Sequence, residues 1–290
     1  MLESKIEQAR MSNVSEEPRI GCLLIEWGKL TEQDVDCILF RQRSKYYLFG
    51  EIAKSMKLAT DADIQAALEH QHRHGRSADG MGPWPAELVM ARPTETTSAD
   101  MFRDLRLQLT QNWFSRGNKA LAFVSTDEKI GTSLFIANLA LTFGQSKQST
   151  LLIDANLRHP SQHEIFNLSA ENGLVDIMSR SELAHFIPSQ TMFRYLSVLK
   201  SGKTTPTSFE LLSGGQFPTL IKRLSSAFDI TLIDLPSLNL GVDALDVAAQ
   251  VGGAVLVART NQTRIAEIST AEKKLKHLGA RVVGSILIDM

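Results

Sequence analysis

The run Ala120-Leu121-Ala122-Phe123-Val124-Ser125-Thr126-Asp127-Glu128-Lys129-Ile130-Gly131-Thr132-Ser133 decides how this chain is read. An apolar run, a polar turn and the apolar segment from Leu134 to Phe143 spell strand, turn and buried helix. That is the context of a phosphate-binding P-loop, whose pattern G-x-x-x-x-G-K-[ST] sets a lysine before the final hydroxyl. Gly131 and Ser133 fit the pattern, Thr132 stands where the lysine belongs, and the first glycine is missing at Ser125 or Thr126. A threonine hydroxyl hydrogen-bonds a phosphate but carries no positive charge. Lys129, in the same turn, is a candidate to reach back into the loop; beside Asp127 and Glu128 it reads more simply as a solvated turn charge.

Working outward, two later segments repeat one form. Leu151-Leu152-Ile153-Asp154 and Ile230-Thr231-Leu232-Ile233-Asp234 are apolar strands that end in a carboxylate. In open parallel α/β sheets, ligands sit outside the carboxyl ends of the strands, so Asp154 and Asp234 should both face the P-loop-like turn. With the Ser133 hydroxyl they are the natural holders of Mg²⁺ or its waters. The plainer alternative, that each aspartate caps the turn after its strand, weakens when two of them accompany such a loop. The expected fold of 100–290 is therefore α/β, a P-loop NTPase-like, mainly parallel sheet with helices on both faces. Its strands are predicted at Leu121 to Ser125, Leu151 to Asp154, Tyr195 to Leu199, Ile230 to Asp234, Ala254 to Ala258 and Val282 to Leu287.

These motifs, in this order, resemble the cytoplasmic tyrosine-kinase domain of bacterial capsule and exopolysaccharide export systems. The likeness is to the chain-length-determinant kinases of exosortase loci, relatives of the ATPase MinD, and it covers about two thirds of the chain. Gly131-Thr132-Ser133 matches Walker A, Ile230 to Pro236 Walker B, and Leu152 to Pro160 the family's own second Walker box. The resemblance implies ATP and Mg²⁺ as ligands, with nucleotide contacts from Lys129, Gly131, Thr132, Ser133 and Arg158 and, in an active enzyme, catalytic roles for Asp154 and Asp234. Asp100, Arg103 and Arg106 match the family's E-x-x-R-x-x-R helix, with Asp for Glu, which implies self-association through that helix. The departures are Thr132 for lysine, Asn156 for the box's second aspartate, and Ile288 where relatives often carry an asparagine beside the adenine. The resembled kinases phosphorylate a tail of clustered tyrosines, whereas here the tyrosines are Tyr46, Tyr47 and Tyr195 and the sequence closes on Asp289-Met290.

The composition suits a two-domain cytoplasmic protein. The chain has 290 residues, 43% hydrophobic and 22% charged, and a formal charge of -1 gives no electrostatic case for nucleic acid. Cys22 and Cys37 read as buried helix positions in a reducing compartment. No apolar run approaches the roughly 18 residues of a membrane span, so direct insertion is not expected. Membrane association would come through a partner, which the resemblance implies to be an inner-membrane polysaccharide chain-length regulator or co-polymerase.

Residues 1–75 hold an internal repeat, units 19–42 and 48–71, in which Gly21, Thr31, Asp34 and Gln42 align with Gly50, Thr60, Asp63 and Gln71. Each unit reads as a short helix, a turn, an N-cap threonine and a second helix, so a small all-helical domain is expected. The repeat resembles the N-terminal domain of type II secretion and pilus-assembly ATPases. That likeness implies a docking module and names Arg19, Gly21 and Gln42 as a possible cyclic-di-GMP contact. Residues 76–99, with Gly80, Gly82, Pro83, Pro85 and Pro93, read as a linker in which Trp84 is an anchor candidate. His70 and His74 have a spacing that can hold Zn²⁺, but no third ligand is evident. The sequence thus points to a subunit regulating exopolysaccharide polymerisation, export and chain length, with a degenerate Walker A and weak or absent kinase activity. An active ATP-dependent tyrosine autokinase and a cyclic-di-GMP-responsive docking module are the alternatives.

Overall fold

A computed structural model of the chain describes residues 20–44, 49–64, 66–67, 84–92, 96–128, 131–170, 172–179, 188–191, 193–205, 207–240 and 243–289. The chain divides into two compact units, 1–83 and 84–290.

The first unit is helical, with α1 at Ile20–Glu26, α2 at Glu32–Ser44, α3 at Phe49–Ser55 and a further helical stretch at 61–64. The repeated threonines are caps. Thr31 Oγ1 accepts from the Asp34 N–H at 3.2 Å while Asp34 Oδ2 accepts from the Thr31 N–H at 2.8 Å, and Thr60 and Asp63 repeat the exchange at 3.2 and 3.0 Å. The repeated glycines mark close approaches. A Cβ on Gly21 would stand 3.4 Å from Val35 and Phe49, and one on Gly50 would stand 2.9 Å from Ile64, the residue equivalent to Val35. Leu23, Leu24, Leu30, Ile38, Phe49, Ile52, Ala53 and Ile64 form the core of this unit. Cys37, expected buried, is exposed on α2, because the core-facing positions there belong to residues such as Val35 and Ile38. Arg19, Tyr46, Tyr47, His70, His74 and Gln71 lie outside the described residues, as does the Gln42 side chain.

The second unit carries α4 (Thr97–Asn112), β1 (Ala120–Ser125), α5 (Thr132–Gln145), β2 (Thr150–Asp154), α6 (Gln162–Ile165), α7 (Leu174–Ser179), β3 (Ser189–Gln190), β4 (Leu196–Leu199), α8 (Gln216–Ala227), β5 (Ile230–Asp234), α9 (Asp243–Val251), β6 (Gly253–Arg259), α10 (Ile265–His277) and β7 (Arg281–Ile288). The sheet order is β3-β4-β2-β5-β1-β6-β7, with every pair parallel except β3 with β4. All six predicted strands are present, and β3 is a two-residue antiparallel addition at one edge that has no sequence signal of its own. The central strands are largely apolar runs buried along almost their whole length, as two helical layers require, and Asp154 pairs with Asp234 in register at one end of the sheet.

α5 is buried along nearly its whole length, with Phe135, Ile136, Leu139 and Phe143 in the core. Its outer side corrects the linker reading. Asn138 Oδ1 accepts from the Met90 N–H at 2.9 Å, Asn138 Nδ2 donates to the Glu87 carbonyl at 3.0 Å, and Gln145 Nε2 donates to the Met90 carbonyl at 2.7 Å. With Leu88 and Met90 in the core and the Trp84 ring 5.2 Å from that of Phe193, residues 84–92 form a strap on α5 rather than a free tether. Helix α4 starts at Thr97, inside the segment read as linker, because Thr96 Oγ1 caps the Ala99 N–H at 3.3 Å.

Candidate nucleotide and cation site

The loop after β1 is anchored at its start and turned at its end. Thr126 donates its N–H to the Val257 carbonyl at 3.2 Å, and its hydroxyl lies 3.2 Å from that of Thr263, which in turn accepts from the Arg259 N–H. Gly131 then takes φ +75°, a left-handed conformation that glycine adopts without steric cost, and α5 begins at Thr132. A helix N-terminus presents free N–H groups and the positive end of its dipole, which suits a phosphate. Lys129 lies outside the described residues.

Beside this turn stand the two carboxylates, both with no exposed surface. Asp154 Oδ2 accepts from the Ser161 and Gln162 N–H groups at 3.1 and 3.0 Å, and Asp234 Oδ2 accepts from Gln162 Nε2 at 2.8 Å. Burial pushes the Asp154 carboxyl well above the ordinary range and the neighbouring Asp234 charge pushes it further, while the N–H groups of Gln162, Ser161 and Asn156 oppose the rise. Burial also raises Asp234, against hydrogen bonds from Ser133 and Gln162.

The remaining oxygens of this cluster are starved of donors. Asp154 Oδ1, Asp234 Oδ1, Thr132 Oγ1 and Gln162 Oε1 are buried and make no hydrogen bond. Each such group costs roughly 1–3 kcal/mol unless something outside the chain satisfies it. A hard divalent cation prefers oxygen ligands of this kind, so the residues present fit Mg²⁺. Among the described residues no cluster of three or more His, Cys, Asp or Glu side chains is arranged to hold a metal, so hydroxyls, carbonyls, water or phosphate must complete any such shell.

A cleft of about 450 Å³ opens over the cluster, with Gly131, Thr132, Ser133, Asn156, Ser161 and Leu235 in its wall. Among the described residues, the charged or titratable side chains in that wall are Asp127, Glu128 and His159, with His159 Nε2 3.9 Å from Glu128 Oε2. Arg158 is absent from the wall, and its guanidinium lies 4.4 Å from the Phe209 ring centroid. Asn156 accepts the His159 N–H on its side-chain oxygen at 3.2 Å and so shapes the turn after β2. The sequence reading missed Gln162, and no residue pattern distinguishes a buried glutamine from a solvated one.

The other sequence candidates lie elsewhere in their units. On α4, Arg103 Nη1 pairs with Asp100 Oδ1 at 2.7 Å, and Met101 and Leu107 are exposed on the same helix. Tyr195 precedes β4, and its carbonyl accepts from Thr150 at the start of β2, so it sits at the opposite end of the sheet from Asp154. Gly21 packs against Val35 and Phe49 within the helical unit.

No protein-family model matches the chain. It is 30% identical to CapB of Staphylococcus aureus over 196 residues, which are 68% of this chain and 86% of CapB. It is also 30% identical to the tyrosine-protein kinase Wzc of Salmonella typhi over 201 residues, 69% of this chain but only 28% of Wzc. Among solved structures it resembles the BceF tyrosine kinase domain, with TM-score 0.63, 26% identity and coverage of 78% of this chain and 88% of that one. The MinD ATPase of Pyrococcus horikoshii, solved with Mg-ADP, shares the fold at TM-score 0.51 and 22% identity over 59% of this chain and 70% of that one. With six parallel strands, two register-paired carboxylates and a P-loop-shaped turn in place, the chain belongs to the bacterial tyrosine-protein kinase family, on the P-loop ATPase fold that MinD shares.

Proposed function

We propose that this chain is a regulatory subunit of exopolysaccharide or capsule export, which binds a nucleotide through a bridging Mg²⁺ and transfers phosphate weakly or not at all. The observation that carries the reading is the absence of a lysine before Ser133, together with the acidic side chains of the described part of the cleft wall. Thr132 occupies the lysine position of the P-loop pattern, and the neighbouring wall residues Asp127 and Glu128 are acidic. A lysine–phosphate contact is a charge-assisted bond worth roughly 1.5–3 kcal/mol in binding. Its loss costs more in phosphoryl transfer, where charge develops on the transferred oxygens. Ser133, Asp154 and Asp234, with the Thr132 hydroxyl, would hold the cation, and the Gly131–Thr132 turn at the start of α5 would cradle the phosphates. When bound, Mg²⁺ supplies the positive charge that links two buried carboxylates to an anionic ligand.

The site's work in this reading is to sense occupancy. A nucleotide would satisfy the cluster, tighten the loop between β1 and α5, and alter contacts through α4, whose Asp100, Arg103 and Arg106 are the proposed self-association face. Docking on an inner-membrane chain-length regulator would supply the membrane location, since no helix among the described residues is long and apolar enough to cross a bilayer. An active tyrosine autokinase is the second reading, favoured by the retained trio of Ser133, Asp154 and Asp234 at one end of the sheet.

Equilibrium binding of ATP with and without Mg²⁺, followed by a phosphotyrosine assay, separates the two. Thr132→Lys is expected to tighten Mg-ATP binding by about tenfold or more, equivalent to about 1.4 kcal/mol. Sustained wild-type tyrosine phosphorylation that requires Asp154 and Asp234 would replace the regulatory reading with the enzymatic one.

A further inference from the structure

The Gln162 side chain hydrogen-bonds to both the P-loop helix and a site carboxylate. It has no exposed surface. Its Nε2 donates to Asp234 Oδ2 at 2.8 Å and to the Ser133 carbonyl at 2.9 Å, and its backbone N–H donates to Asp154 Oδ2 at 3.0 Å. One residue therefore ties together the ends of β2 and β5 and the first turn of α5, the three segments that carry the proposed cation ligands. The amide has a single workable orientation. Turned over, Oε1 would face the Ser133 carbonyl and the Asp234 carboxyl, where it meets acceptors. In the orientation present, Oε1 is buried with no partner, one of four such oxygens in the cluster.

A glutamine held in this way does not maximise local stability, because it leaves an acceptor unsatisfied to deliver two N–H donors elsewhere. We propose that Gln162 is the positioning residue of the cation site: it holds Asp234 and the start of α5 at cation-ready spacing, so that divalent-metal affinity depends on its amide. The proposal rests on the Mg²⁺-nucleotide reading above. The role differs from that of a ligand. The amide neutralises no charge, so it steadies the carboxylates without replacing the metal, and an incoming cation would meet a preassembled site. Outer-shell groups of this type commonly set metal affinity by about 10- to 100-fold.

The test uses the full-length chain with Mn²⁺ as a spectroscopic probe and Mg²⁺ as competitor, with and without ADP. Gln162→Leu keeps the backbone donation to Asp154 and removes both amide donations. It is expected to weaken Mn²⁺ binding by about tenfold or more and to shrink the rise in melting temperature that Mg²⁺ produces. Gln162→Lys retains donors toward Asp234 and the Ser133 carbonyl and adds a positive charge. It is expected to raise the metal-free melting temperature and abolish the Mg²⁺ shift, as an internal stand-in for the cation. A purely structural glutamine would lower the melting temperature of the Leu variant equally in both conditions and leave the Mn²⁺ affinity of either folded variant within about twofold of wild type; that result overturns the proposal. Should Gln162→Leu fail to fold, an undiminished Mg²⁺ shift in Gln162→Lys overturns it alone. A wild-type chain that binds neither Mn²⁺ nor Mg-ADP overturns the underlying nucleotide reading as well, whereas wild-type binding with unaffected variants removes only the role of Gln162.

Discussion

The two units treat their aspartates in opposite ways. In the helical unit Asp34 and Asp63 are partly exposed and supplied with local donors, each accepting the N–H and the hydroxyl of a threonine three residues earlier. Asp63 also meets Lys29 Nζ at 2.9 Å, and these hydrogen bonds, Thr60 first, hold its carboxyl down at about 2. In the α/β unit Asp154 and Asp234 are buried, paired in register, and each left with one oxygen that no donor reaches. A carboxylate satisfied by its own turn contributes to folding. One buried short of donors holds unfavourable free energy that only an external cation or proton relieves.

The largest expected effect separates these two roles directly. Asp234→Asn should weaken Mg²⁺-dependent nucleotide binding by about a hundredfold without lowering metal-free stability, since a buried charge is removed while the amide oxygen can still accept from Gln162 Nε2. Thr60→Ala should do the reverse, with the helical unit losing about 1 kcal/mol through its missing cap and nucleotide affinity staying unchanged. Calorimetric binding and denaturant melts of both variants check the contrast. A fall in metal-free stability for Asp234→Asn would place that aspartate with the structural ones.

The two units should also answer pH with opposite slopes. Folded Asp154 and Asp234 titrate above the ordinary value of 3.8, so the folded unit holds protons that the unfolded chain has released. Their contribution is full below that value and is lost as pH rises through the raised folded values. Asp63 is depressed, so its contribution is present above 3.8 and lost as pH falls toward about 2. Hydrogen exchange resolved by peptide, from pH 3 to 9 on the order of one unit per step, should find the helical unit weakest in acid and the metal-free α/β unit weaker toward alkaline pH. Mg²⁺ should remove the second slope and leave the first; a parallel response of both units would break the comparison.

The smallest effect lies within the repeat. Gly28 and Lys57 are equivalent positions at the ends of their short helices, and both take a left-handed backbone, φ +66° and +58°. A lysine there carries a steric cost that glycine avoids, so Lys57→Gly should stabilise the helical unit by about 0.5–1 kcal/mol, read as a shifted denaturant midpoint. An unchanged midpoint would mean that the second unit has relaxed around its lysine.

Much of this is legible in the sequence. Period and composition located six strands, because buried parallel strands must be short apolar runs and the turns between them must be polar. The threonine caps were legible because capping acts over three residues. The segment 84–92 was not. Its prolines and polar flanks describe a loop, and only the distant Asn138 and Gln145 hold its backbone on α5. Arg158 invited a phosphate by its place in the second Walker box, and the structure sets its guanidinium against Phe209, a partner from a remote turn.

What the sequence determined by itself were the relations that lie along the chain: strand, turn and helix around Gly131, a carboxylate closing two strands, and a repeated cap. These follow from backbone geometry and hydrogen bonds between near neighbours. The tertiary structure alone decided that Asp154 and Asp234 pair in register, that Gln162 reaches Ser133 and Asp234, and that four oxygens are left without donors. Those relations join residues far apart in sequence, and their energetics depend on burial. The same aspartate is a cap in water and a cation site beneath a helix, because desolvation makes every missing hydrogen bond costly.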